Sequence, residues 1–241
     1  MEQLVLGGVD LSNEFEIVGV QKPVPSSVAD IRTVPGTDGY AFVGADILPQ
    51  PMQFTLVSKA LGYTERRRQV RRLSAILNSK EPVKVAFSED DGLYYLAVLG
   101  DPLEYQEFVK LGAMTVYMQP IHSAMYGAEH LVIVPSGGSV SFIVGGTYPT
   151  KPIVTASAVR NGSSLVWGIR LDEGDYLHIA TGSSSARSVV ADCQNRTLSV
   201  QGSAAIPTLD SDWLELEPGE HTLRMDNGTG AATVKWLERW L

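Results

Sequence analysis

The segment Thr64-Glu65-Arg66-Arg67-Arg68-Gln69-Val70-Arg71-Arg72-Leu73-Ser74-Ala75-Ile76-Leu77-Asn78-Ser79 runs almost directly into Val83-Lys84-Val85-Ala86-Phe87 and Tyr94-Tyr95-Leu96-Ala97-Val98. Two periodicities meet here. Val70, Leu73, Ile76 and Leu77 recur at helical spacing and predict one amphipathic helix over about 64–79. Thr64 is its expected N-cap, and Pro82 lies just past its end. Val83, Val85 and Phe87, then Tyr94, Leu96 and Val98, alternate with the period of a strand. Asp90-Asp91-Gly92 turns one strand into the other. A helix with a single apolar stripe must cover an apolar surface, and these strands supply a sheet for it.

Outward from this segment, short apolar alternations dominate. Leu4, Leu6 and Val9 open the chain, and Phe15, Ile17 and Val20 follow. Pro35-Gly36-Thr37-Asp38-Gly39 is a dense turn signal, with strands expected at about 40–47 and 51–59. Strands near 103–109 and 112–120 are expected to complete the first half. Residues 121–135 change the pattern, which places a domain boundary near residue 130 and domains at 1–130 and 131–241. Beyond it, Leu165, Trp167, Ile169 and Leu171 share a strand face. The pairs Leu177 with Ile179, Leu198 with Val200, Leu214 with Leu216 and Leu223 with Met225 repeat the alternation. Asn161-Gly162, Pro218-Gly219 and Asn227-Gly228 supply turns. No helix is expected between 131 and 241. The fold class is therefore mainly β: an N-terminal β-sandwich with one α-helix, and a C-terminal β-sandwich.

With 44% hydrophobic and 19% charged residues over 241 positions, the chain can bury a sizeable core and is not disordered. Its net charge of 19 − 27 = −8 argues against nucleic-acid binding, which needs a basic field. One cysteine, Cys193, excludes an internal disulfide and a cysteine-based metal site, and its apolar neighbours make it a core residue. The first ten residues lack a basic stretch followed by a long apolar run, and no segment approaches a membrane span. The expectation is a protein made in a cytoplasm, with no membrane partner.

No nucleophile elbow, phosphate-binding loop or His-Glu-x-x-His motif is present. His122, His130, His178 and His221 show no ligand spacing. Glu89-Asp90-Asp91 lacks the alternating oxygen ligands of a calcium loop and reads as a hairpin turn. Asp210 and Asp212 could pair for glycoside chemistry only across a cleft. We therefore expect no catalytic, cofactor-binding or metal-binding residues and no enzyme.

Two features remain. Arg67, Arg68, Arg71 and Arg72 fall opposite the apolar stripe of the helix, while Arg66 starts near it. Such a run reads as a solvated face, as a contact to acids of another subunit through the planar guanidinium fork, or as a grip on phosphates, which the acidic whole disfavours. Trp167, Trp213, Trp236 and Trp240 all lie in the second half, as core and edge packing or as stacking platforms for sugars.

The order of these features resembles a known family. The Val9-Asp10-Leu11 strand, the Val34-Pro35-Gly36-Thr37-Asp38-Gly39-Tyr40 turn, the Arg-rich helix ending Arg72-Leu73-Ser74-Ala75-Ile76-Leu77 and the Val-Lys-Val-Ala-Phe hairpin look like the amino-terminal domain of siphophage distal tail proteins. Gly145-Gly146-Thr147-Tyr148-Pro149-Thr150-Lys151-Pro152-Ile153-Val154 is similar to the entry into that family's carboxy-terminal domain, and Trp213 to Leu223 resembles its late strands. The resemblance implies a hexameric ring formed by the first domain and a galectin-like C-terminal domain. It implies a hub at the virion tail tip that joins the tail tube protein to the tail-tip (tail-associated) protein and receptor-binding proteins. No cofactor, membrane or sequence-specific nucleic acid enters that function. The arginines Arg67, Arg68, Arg71 and Arg72 become candidates for subunit contacts or channel lining. The alternative is a carbohydrate-binding, lectin-like module for host attachment. Against it, His221-Thr222-Leu223-Arg224-Met225-Asp226-Asn227 does not reproduce the sugar-binding set of galectins.

Overall fold

The computed structural model of the chain describes residues 3–36, 38–103, 105–159, 165–181 and 185–241. Thr37 of the expected Pro-Gly turn and the Asn161-Gly162 turn lie outside the described residues. The chain divides between Tyr126 and Gly127 into two compact units. That division falls inside a long strand, Met125–Val134.

The first unit runs β1 (Leu4–Leu6), β2 (Val9–Asp10), β3 (Phe15–Gln21), β4 (Ser26–Thr33), β5 (Tyr40–Leu48), β6 (Met52–Ser58), α1 (Tyr63–Leu77), β7 (Val83–Phe87), β8 (Tyr95–Leu99), α2 (Tyr105–Leu111) and β9 (Ala113–Pro120). Seven strands form one sheet in the order β2-β1-β7-β8-β9-β6-β3, while β4 and β5 make a separate two-stranded ribbon. Alternation turns Leu4, Leu6, Phe15, Phe54, Leu56, Val85, Phe87 and Val116 into one core. Helix α1 adds Val70, Leu73 and Leu77, the stripe read from the sequence.

Several local expectations change. The helix begins earlier than expected, with Gly62 in an extended conformation as N-cap and no side-chain cap, so Thr64 lies inside the first turn. Its end is closed by Asn78, whose Nδ2 and backbone N–H both donate to the Ser74 carbonyl, at 2.9 and 3.0 Å. The Asp90-Asp91-Gly92 turn is present but longer than a two-residue loop: Ser88–Asp90 forms a single 3-10 turn, after which Asp91 is left-handed. The expected strand near 103–109 is instead helix α2. Phe108 of α2 is fully buried and its ring lies 6.1 Å from that of Phe15. A seven-residue segment carries too little periodicity to separate helix from strand, and this burial decides it.

The second unit contains β10 (Met125–Val134), β11 (Ser139–Val144), β12 (Ile153–Ala158), β13 (Val166–Leu171), β14 (Tyr176–Ala180), β15 (Arg187–Asp192), β16 (Thr197–Val200), β17 (Ser203–Ala205), β18 (Gly219–Asn227) and β19 (Ala232–Trp240). Among the described residues no helix follows Val134. Two sheets, β10-β19-β12-β15-β16-β17 and β11-β18-β13-β14, both contribute to one core. Val154, Val189, Ala191 and Val234 come from the first, and Trp167, Ile169, Leu177 and Leu223 from the second. This is a two-layer sandwich.

Candidate assembly surfaces

On α1 the arginines separate as their positions require. Arg67, Arg68, Arg71 and Arg72 are exposed, whereas Arg66 is half-buried. Arg66 donates Nε to the Ala60 carbonyl and Nη1 to the Lys110 carbonyl, each at 3.2 Å. It thereby fastens α1 to the carbonyl end of α2, where helical acceptors lack partners of their own. Arg68 pairs with Glu65 one turn back at 3.2 Å, and Arg72 pairs with Glu14. Among the described residues, no ion pair involves Arg67 or Arg71. The result is a cationic ridge on an acidic chain.

The ribbon β4–β5 is the second surface, and sequence reasoning found only one of its strands. Every residue of β4 is exposed. Ile31 stands opposite Phe42 and Thr33 opposite Tyr40, with Ile31, Tyr40 and Phe42 53%, 71% and 69% exposed. A register shift between Asp30 and Ile31 skips Val43 of β5, and with all of β4 exposed no buried face imposes a period-two pattern on Val28 and Ile31. A two-stranded ribbon is at best marginally stable alone in water. This one leaves its large apolar side chains in solvent. Elsewhere in the same unit, an open cleft is lined by Leu103, Leu111, Met114, Tyr117 and the hydroxyls of Thr55 and Thr115. Leu111 is 69% exposed at its rim.

In the second unit the histidines are more organised than their spacing suggests. The ring of His178, on β14, is nearly buried, with Nδ1 3.0 Å from Asp210 Oδ2 and Nε2 2.7 Å from Asp226 Oδ2. Arg170 Nη2 lies 3.3 Å from the other oxygen of Asp226. His221 bridges Asp172 Oδ2 and the Glu217 carbonyl, each at 2.7 Å. Burial alone would raise the Asp172 carboxyl, but hydrogen bonds from His221 and the Thr222 N–H outweigh it and hold the group below the usual carboxylate range. The Asp210 carboxylate meets His178, while the Asp212 N–H donates to the Tyr176 carbonyl. Three elements distant in sequence build the His178 cluster, so spacing carries no trace of it. Among the described residues, no group of three or more His, Cys, Asp or Glu side chains is arranged to hold a metal ion. No helix among them is long and apolar enough to cross a membrane.

The two units have separate counterparts among known domains. Residues 2–118 match the phage tail protein RIFT-related domain, and residues 145–240 match the siphovirus-type tail component, C-terminal domain. The chain is also 25% identical over 251 residues to the distal tail protein of Bacillus phage SPP1, covering 99% of this chain and 95% of that protein. The chain belongs to the siphophage distal tail protein family.

Solved structures agree on the fold. The crystal structure of SPP1 Dit, described as a paradigm of the hub adsorption apparatus in phages infecting Gram-positive hosts, matches with a TM-score of 0.74 at 19% identity, over 100% of both chains. A chain of the phage p2 baseplate in its activated, calcium-bound conformation matches with a TM-score of 0.59 at 11% identity, over 98% of each. In this distal tail protein family member, two of the four tryptophans are core residues. Trp167 is fully buried, Trp236 is 5% exposed, and Trp213 and Trp240 are half-buried. Cys193 is fully buried in the second core, as its neighbours indicated.

Proposed function

We propose that this distal tail protein assembles into a closed ring of six copies that serves as the structural hub of a long-tailed phage. The exposed apolar ribbon β4–β5 carries this reading. Its Ile31, Tyr40 and Phe42 side chains have no core of their own, and a neighbouring copy would bury them. A head-to-tail contact repeated around a rotation axis closes into a ring. The ribbon supplies one half of such a contact, and the cleft lined by Leu103, Leu111 and Tyr117 is a suitable other half. The cationic ridge Arg67, Arg68, Arg71 and Arg72 is the second contact, facing acidic groups of an adjoining subunit or of the channel. The first unit forms the ring. The galectin-like C-terminal unit engages the tail-tip and receptor-binding proteins, and the ring joins them to the tail tube protein. The role is mechanical, with no catalytic step and no cofactor.

The test is solution mass by light scattering over a concentration series, followed by negative-stain imaging. A particle of six 26.1 kDa chains with a central hole is expected. The double substitution Ile31→Ser and Phe42→Ser, at exposed positions, should leave the monomer folded but abolish the particle. A wild-type chain that stays monomeric even when tail tube protein is supplied as a template would overturn the proposal.

A further inference from the structure

The segment 206–213, between β17 and β18, is a strap lying along the free edge of the four-stranded sheet. Among the described residues strand β14 pairs only with β13, so its outer backbone groups need other partners. The strap provides them. The Thr208 N–H donates to the His178 carbonyl at 3.0 Å and the Asp212 N–H to the Tyr176 carbonyl at 2.9 Å. The His178 N–H donates to Ser211 Oγ at 2.8 Å. Of the strap's large apolar side chains, Trp213 at its far end packs against the second core, whereas Ile206 is 85% exposed and Leu209 wholly so. Over 206–212 its attachment is therefore polar, and among the described residues its one ionic fastening is Asp210 to the His178 ring.

That ring has a carboxylate oxygen at each nitrogen. Only the doubly protonated imidazolium can donate to both at once; a neutral ring sets a lone pair against one carboxylate. We propose that Asp210, His178 and Asp226 form a proton-dependent latch that fastens the strap over the β14 edge and releases it when the ring loses a proton. The release has a direction. Asp226 is only 16% exposed and is also held by Arg170, whereas Asp210 is 60% exposed on irregular backbone. The proton stays on Nε2, facing the shorter and more buried contact, and Asp210 is let go.

The other groups around the ring fit this reading. Tyr176 stacks on it with centroids 4.8 Å apart, and Arg170 lies over Tyr176. Arg224 stands opposite Arg170 in the register of β13 and β18. Asn227 Nδ2 is 3.5 Å from Nε2 and from Asp226 Oδ2. Gly168 floors the ring: a Cβ there would collide with His178 Cδ2. With the ring protonated, Arg170, Asp226, His178 and Asp210 form a charge-balanced set; with it neutral, one carboxylate is uncompensated. Hydrogen bonds from Thr208 and His178 keep the Asp210 carboxyl below the usual carboxylate range, so it is ionised throughout the window in which a histidine titrates. Release would bare the β14 edge, a template for a partner strand.

Hydrogen exchange of the full-length chain, followed by mass spectrometry and expressed as protection factors, tests the latch. Peptides covering 176–180 and 206–213 should lose protection at least about ten-fold between about pH 5 and about pH 8, the size of one lost charge-assisted hydrogen bond. Peptides from β12 and β19 should not change. Asp210→Asn, at an exposed side chain, should show the low protection already at about pH 5 and no further fall. Equal protection at both pH values in the wild type would overturn the latch. So would an unchanged pH-dependent loss in Asp210→Asn.

Discussion

Cys193 shows how far a single residue's surroundings dictate its chemistry. Its thiol is buried in the second core, and desolvation pushes its pKa from 9.0 to about 12. Tyr95 of the first core is pushed from 10.0 to about 12, by burial first and the Asp90 charge second. Both folded-state values are raised, so the native state holds these protons more tightly than the unfolded chain. The stability they contribute is complete below their ordinary values and is lost as the pH climbs toward about 12. Native Cys193 is expected to resist a thiol reagent at about pH 8 and to react at once in denaturant, because the thiolate is the nucleophile. Prompt native labelling would show that the second core opens far more readily than its packing implies. That this cysteine is a core residue could be read from its apolar neighbours. That His178 sits between two aspartates could not, because β14, the strap and β18 meet only in three dimensions.

Among the elements, α2 is the one whose nature depends most on its partner. Seven residues are too few for a helix stable by itself, so its existence rests on what it buries. Phe108 is that anchor, packed against Phe15, and Arg66 binds the Lys110 carbonyl of the same helix. Phe108→Ala is expected to cost about 3–5 kcal/mol of unfolding free energy, measured as a shift in urea midpoint at constant slope. A cost below about 1 kcal/mol would mean that α2 contributes nothing to the core. The contrast with α1 explains what was legible. Fifteen residues with a repeating stripe announce a helix, and the sequence placed Val70, Leu73 and Leu77 inward and the four arginines outward. Its start was misjudged because a threonine near a helix end reads as a cap, while extended Gly62 occupies that position. The ribbon was half-missed for a different reason. Neither of its faces is buried within the chain, so no alternation of polar and apolar residues marks β4.

For the whole molecule, the two units each carry an independent core of comparable size. Calorimetry of the intact chain is accordingly expected to resolve two transitions. Gly230→Ala should lower only one of them. Gly230 has φ +100°, and a Cβ on it would collide with the Ser157 carbonyl in the second core's sheet. A single transition that shifts as one would show the units to be energetically coupled. The sequence by itself determined the mainly β class, the α1 face, the burial of Cys193 and, through the order of its motifs, the family. These are matters of periodicity and local chemistry, which a linear string records directly. Tertiary structure alone decided that residues 105–111 form a helix, that 26–33 and 40–48 pair as an unburied apolar ribbon, and that His178 joins Asp210 to Asp226. Each depends on contacts between residues far apart in the chain, where the free energy of burial or of an ion pair outweighs whatever the local sequence prefers.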